Sequence, residues 1–140
     1  MAENKVEQYL IDLKYNYQEV KPNFWLLDDI EHDLQGIAIM YADPLVIIEV
    51  QVMDAPREKR EEFFVKLLEL NASDMIHGAY GLETPAETKG RGSPPEGEKV
   101  VIIDTLEYDS LDYSEFRAAL DAISLALTQH YPILSVYREK

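Results

Sequence analysis

Between Phe24 and Val52 three runs dense in β-branched and aromatic residues follow one another, separated only by short polar turns. The first runs from Phe24 to about Glu31. His32-Asp33-Leu34-Gln35-Gly36 then turns the chain into Ile37–Tyr41, and Ala42-Asp43-Pro44 turns it again into Leu45–Val52. Side chains of this kind fit a pleated, half-buried surface, and turns this short argue for an antiparallel meander.

Helical patterns flank the meander. Val6, Leu10, Leu13 and Tyr17 recur at i, i+4, i+7 and i+11, which predicts a helix over residues 3–18, ended by Lys21-Pro22 because the residue before proline is pushed out of the α region. Asp54-Ala55-Pro56 reads as a second helix start, with Asp54 as N-cap and Pro56 in the first turn. That helix is expected to reach about Asn71, where Asn71 serves as a C-cap. Its residues Phe63, Phe64, Leu67, Leu68 and Leu70 cover an arc of roughly 160° at about 100° per residue, wider than one contact needs.

Met75–Glu83 and Lys99–Leu106 read as a hairpin. The segment between them, residues 84–97, holds three of the six glycines and three of the seven prolines and is expected to be a mobile tip. It matches neither glycine-rich phosphate-loop spacing. The last helix opens on Asp112 and Glu115 at capping-box spacing, with Leu111 and Phe116 at the staple positions. Phe116, Leu120, Ile123 and Leu127 form its stripe, and Tyr131-Pro132 is expected to end it, leaving the form of residues 133–140 open. The order α-β-β-β-α-β-β-α clusters strands instead of alternating them with helices. It predicts an α+β fold, a single domain over residues 1–140, with an antiparallel sheet packed against helices.

Composition excludes several function classes. No cysteine occurs, which removes disulfides, thiol nucleophiles and thiolate metal sites. The net charge is −14 and the thirteen Lys and Arg are scattered, so neither nucleic acid nor an anionic membrane surface is an expected partner. The opening MAENKVEQYLIDL lacks the apolar core of a signal peptide, and no run is long and apolar enough to span a bilayer, so cytoplasm is the expected compartment. His32, His77 and His130 lie far apart and none has a second His at helical spacing. No calcium-loop pattern and no G-x-S-x-G occurs. No catalytic residue, metal ligand or cofactor is therefore assigned. In Met75–Leu82, strand alternation would turn Ile76, Tyr80 and Leu82 to one face and His77 to the other.

The apolar strand positions are more informative. Along Leu45–Val52, Val46, Ile48, Val50 and Val52 share one face, while Leu45, Ile47, Glu49 and Gln51 make a second face that is half apolar. Three helices cover one face of a five-stranded sheet well but hardly both. Some of Trp25, Leu27, Ile39, Tyr41 and Ile47 are thus expected at the surface, as a patch that binds a partner. The alternative is that the tail or the first helix buries both faces.

The stretch FFVKLLELNASDMIHGAYGLE, a helix ending in Leu-Asn before a glycine-containing strand, and VVIIDTLEYDSLDYSEFRAALDAI, a strand followed by a Leu-Asp-capped helix, resemble YbjN-type proteins, which share their fold with type III secretion chaperones. The small size, acidity and element order fit the same resemblance; the glycine- and proline-rich tip departs from it. The resemblance implies a cytoplasmic homodimer that holds an extended, apolar segment of a partner protein, with no catalytic residues to carry over. On this reading Trp25, Leu27, Ile39, Tyr41 and Ile47 bind the partner, and Phe63, Phe64 and Leu67 contribute to the dimer interface. Two other readings stand beside it: a regulatory interaction domain acting on a signalling partner, and a small-ligand binder or enzyme using His77.

Overall fold

The computed structural model of the chain describes residues 4–29, 34–84 and 97–138. In order these form α1 (Lys5–Asp12), β1 (Asn16–Lys21), β2 (Phe24–Asp29), β3 (Leu34–Ala42), β4 (Leu45–Asp54), α2 (Arg60–Ser73), β5 (Ala79–Glu83), β6 (Lys99–Glu107) and α3 (Tyr113–Leu134), closed by a 3-10 turn at Ser135–Tyr137. The strands make one antiparallel sheet in the order β1-β2-β3-β4-β6-β5. The α+β class and the meander are as expected, but the sheet has six strands where the sequence pattern suggested five.

The additional strand comes out of the first predicted helix. α1 starts at Asn4, whose side chain accepts the Val6 N–H at 2.8 Å, and it stops at Asp12. Lys14 takes a left-handed conformation (φ 62°), its N–H bonds Ile11 O at 3.0 Å, and the Tyr15 N–H bonds Leu10 O at 3.1 Å. This pair of bonds is a Schellman cap, normally marked by glycine. With lysine in the glycine position the stop signal is silent in the sequence. Tyr17 consequently leaves the helical stripe and pairs with Leu27 across β1 and β2.

Three other boundaries move for local reasons. Asp54 does not cap α2; it ends β4 and forms an ion pair with Lys99. The start of α2 has no side-chain cap at Lys59 and is held instead by Arg60, whose Nη1 donates to Pro56 O and to the buried Glu98 carboxylate, each at 3.0 Å. β5 begins at Ala79 because Gly78 sits at φ +76°, where an added Cβ would lie 2.7 Å from Ile103 O. α3 begins as expected, with Asp112 accepting the Glu115 N–H at 2.7 Å, but passes through Pro132 to Leu134. Leu134 is fully buried and the Tyr137 ring packs on Phe63 at 5.2 Å, contacts that offset the hydrogen bond lost at proline. The expected hairpin tip, residues 84–97, lies outside the described residues except at its two ends.

The core lies between one face of the sheet and the helices. Trp25, Leu27, Ile37, Ile39, Val46, Ile48, Val50, Val100 and Ile102 line the sheet side. Against them pack Val6 and Leu10 of α1, Phe63, Leu67 and Leu70 of α2, and the α3 stripe from Phe116 through Leu127. A register shift between Gln51 and Met53 turns Met53 inward where simple alternation would place Val52. Lys5 ties α1 to the β6–α3 turn, its Nζ donating to Tyr108 O at 2.8 Å and Leu111 O at 3.3 Å while lying over the Tyr108 ring.

Candidate functional site

Strand alternation gives the sheet a second face, and among the described residues no helix packs on it. Cross-strand register identifies its members. Leu26 faces Ala38, Ala38 faces Glu49, Glu49 faces Ile103 and Ile103 faces Ala79, so one row crosses β2, β3, β4, β6 and β5. A second row runs Phe24, Met40, Ile47 and Thr105. Leu26, Met40, Leu45 and Ile103 are each 36–38 % exposed, and Phe24 and Ile47 are half-buried. Four large apolar side chains at similar exposure thus lie on β2, β3, β4 and β6, the kind of surface that marks interaction sites, while Val101, between Gln51 and Gly81 on the same face, is fully buried.

Glu49 stands within this patch, on a central strand. Burial, hydrogen bonding with Glu83 and repulsion from its charge push the Glu49 carboxyl up to about 7. Among the described residues, the basic side chains of this face are engaged elsewhere: Lys99 pairs with Asp54, and Lys21 lies over the Phe24 ring at 5.4 Å.

The structure redistributes the residues expected to bind a partner. Trp25, Leu27 and Ile39 are not at the surface: they are 0–1 % exposed, on the helix-covered face. Tyr41 pairs with Val46, which gives it the same parity, and its half-buried ring stacks on Tyr108 at 4.3 Å. Only Ile47 belongs to the open face. Membership of a face depends on the register between strands, which separates the five. Ile39 opposes Ile48 and Tyr41 opposes Val46, while Ile47 opposes Met40. The residues missed, Phe24, Leu26, Met40, Leu45 and Ile103, had one usable signal: they alternate with a more uniformly apolar set, as Leu45 and Ile47 do with Val46, Ile48 and Val50.

The expected dimer residues divide in the same way. Phe63 and Leu67 are buried in the core and are not available at the surface, because the inner half of the wide α2 stripe packs on the sheet. Phe64 is half-buried beneath the Arg60 guanidinium, 4.8 Å from its ring centroid. The outward side of α2 is formed by Val65 and Leu68, the latter 67 % exposed.

His32 lies outside the described residues. His77 is not in a strand; it lies in the connection from α2 to β5, with Nδ1 3.7 Å from Asp104 Oδ2. That distance is too long for a hydrogen bond, and Asp104 Oδ2 is buried without one. His130, on α3, is buried. Its Nδ1 is 2.8 Å from the Tyr80 hydroxyl and its Nε2 is 3.2 Å from Asp74 Oδ2. A carboxylate can only accept, so a neutral ring carries its proton on Nε2 and accepts at Nδ1 from Tyr80. Among the described residues no group of three or more His, Asp or Glu is arranged to hold a metal ion, and no helix is long and apolar enough to cross a membrane.

Comparison with known proteins agrees with this architecture. The CesT_Tir_1 family model matches residues 1–140. No curated protein matches the chain. Among solved structures, YbjN from E. coli superposes with a TM-score of 0.65 at 17% identity, covering 91% of this chain and 89% of that one. A chain from the heterodimeric ExoU-SpcU complex of the type III secretion system of Pseudomonas aeruginosa superposes with a TM-score of 0.63 at 10% identity, covering 96% and 98%. At these identities the likeness is one of fold.

Proposed function

The chain belongs to the CesT_Tir_1 family, and from that membership we propose that it is a non-enzymatic, chaperone-like protein-binding module that holds an extended apolar segment of a partner protein. The observation that carries this reading is the open sheet face, where Leu26, Met40, Leu45 and Ile103 remain exposed beside Phe24 and Ile47. An extended segment suits such a face because its own side chains alternate, placing every second one against the sheet. Covering one large apolar side chain contributes about 1.5–3 kcal/mol, so three or four anchors support micromolar binding after ordering costs. The fold shared with a chain of the ExoU-SpcU complex, in which two different proteins associate, supports the same reading.

The module acts as a homodimer in this proposal, joined through the outward side of α2 at Phe64, Val65 and Leu68. That leaves the open sheet face of each subunit available. Binding of a labelled peptide of alternating leucine and threonine, followed by fluorescence anisotropy, tests the partner surface. M40D and I103D should each weaken binding about tenfold or more without unfolding the protein. Wild-type affinity retained in both variants would remove the open face from the proposal. Light scattering that reports a monomer at all concentrations would remove the dimer.

A further inference from the structure

We propose that the open sheet face selects a partner segment carrying a lysine or arginine between its apolar anchors, with the cation lying against Glu49 and Glu83. This rests on the open face being the partner surface and adds the chemistry of what that surface takes.

The inference starts from where Glu49 stands. It is flanked across the sheet by Ala38 and Ile103, and Ile47 precedes it on the same face of β4. Solvated at the edge of a patch, a carboxylate costs nothing; here any extended segment that covers Ile47 and Ile103 must also cover Glu49. An apolar segment would strip water from that carboxyl and give nothing back, a heavy penalty for an ionised group. Glu83 bears on the same carboxyl and raises its affinity for a proton, so a segment that covers Glu49 without a cation leaves the two acids to share one.

Among the described residues the cations of this face are already engaged: Lys99, which stands opposite Glu83 across β5 and β6, is held by Asp54, and Lys21 by the Phe24 ring. A second copy of the chain is a poor occupant as well, since stacking two such faces would set carboxylates against carboxylates on a molecule of net charge −14. A partner with a lysine or arginine flanked by apolar residues satisfies both halves of the surface. Its anchors cover Leu26, Met40 and Ile103, and its cation forms the charge-assisted hydrogen bonds that Glu49 and Glu83 are placed to accept. The raised affinity of Glu49 for a proton accords with a carboxyl that has no cation beside it and would release the proton when one arrives.

The test compares two nine-residue peptides of alternating leucine and threonine, one with lysine at a central sheet-facing position and one with glutamine there. Wild-type protein should bind the lysine peptide about tenfold more tightly. E49Q should reduce that preference to about twofold or less, weakening binding of the lysine peptide and strengthening that of the glutamine peptide, which no longer covers a carboxylate. Equal affinity of the wild type for the two peptides would overturn the cation inference and leave the open-face reading standing, and needs no variant to be made. A preference that survives in E49Q and in E49Q/E83Q would also overturn it. Failure of both peptides to bind would overturn the open-face reading together with this one.

Discussion

Asn71 holds both backbone groups of Tyr80. Its Oδ1 accepts the Tyr80 N–H at 2.7 Å and its Nδ2 donates to the Tyr80 carbonyl at 3.3 Å. Tyr80 lies in β5, the last strand of the sheet, so a side chain from α2 occupies the groups that another strand would otherwise use.

Replacing Asn71 by leucine should therefore do two things. It should cost about 1–3 kcal/mol in urea unfolding, the penalty for partly buried polar groups left unpaired. It should also raise the tendency to associate through β5, read as concentration-dependent light scattering. A variant that keeps full stability and stays unassociated would show that Asn71 neither supports nor guards this edge.

The Tyr80–His130–Asp74 chain makes a pH prediction. Burial first, and then the Asp74 charge, raise the Tyr80 phenol above its ordinary value of 10.0. A group with a raised folded-state pKa contributes stability that is complete below the unfolded pKa and is lost as pH rises through the folded one. Tyr80 thus favours alkaline unfolding above about pH 10. Y80F should move the alkaline midpoint upward while lowering stability at pH 7 by about 1–2 kcal/mol, because His130 Nδ1 loses its donor. An unchanged alkaline midpoint in Y80F counts against this account.

Glu49 acts in a different window. Its carboxyl is raised from 4.5 to about 7, so its contribution is complete below pH 4.5 and is lost as pH rises through about 7. E49Q should flatten that part of the stability profile and be about 1 kcal/mol more stable than wild type at pH 8, a figure reduced for solvent screening. Parallel profiles for the two proteins between pH 4 and 8 would contradict the assignment.

Gly78 is fixed by contact as well as conformation. At φ +76°, an alanine Cβ would meet Ile103 O at 2.7 Å and Asp104 Cβ at 3.1 Å. G78A should destabilise by about 2 kcal/mol or more, measured by thermal or urea unfolding. A near-neutral G78A would mean that the Met75–Gly78 connection moves freely away from β6.

How far the fold could be read in advance depended on where its signals were local. Asp112, Glu115 and Phe116 announce α3 because a cap is written within a few residues. Val46, Ile48 and Val50 announce the inward face of β4 because alternation is a property of one strand. The end of α1 was hidden, since Lys14 takes a conformation that lysine does not advertise. The continuation of α3 past Pro132 was hidden too, since it depends on Leu134 and Tyr137 finding the core. The exposed sheet face was hidden for a third reason. Trp25 and Ile47 are equally apolar, and only the pairing of β2 through β4 separates the covered one from the open one.

The strand order also sets when the molecule can become whole. Four of the five pairings join sequence neighbours, while the β4–β6 pairing joins Leu45–Asp54 to Lys99–Glu107. A chain leaving the ribosome can zip β1 to β4 together early, since those contacts are local. It cannot shelter their inner face until α2 and then α3 have emerged, and α3 is the last long element made. During synthesis both sides of the young meander are sticky, the inner one until the Phe116–Leu127 stripe arrives. Premature termination before Tyr113 should hence give aggregates rather than a smaller folded protein.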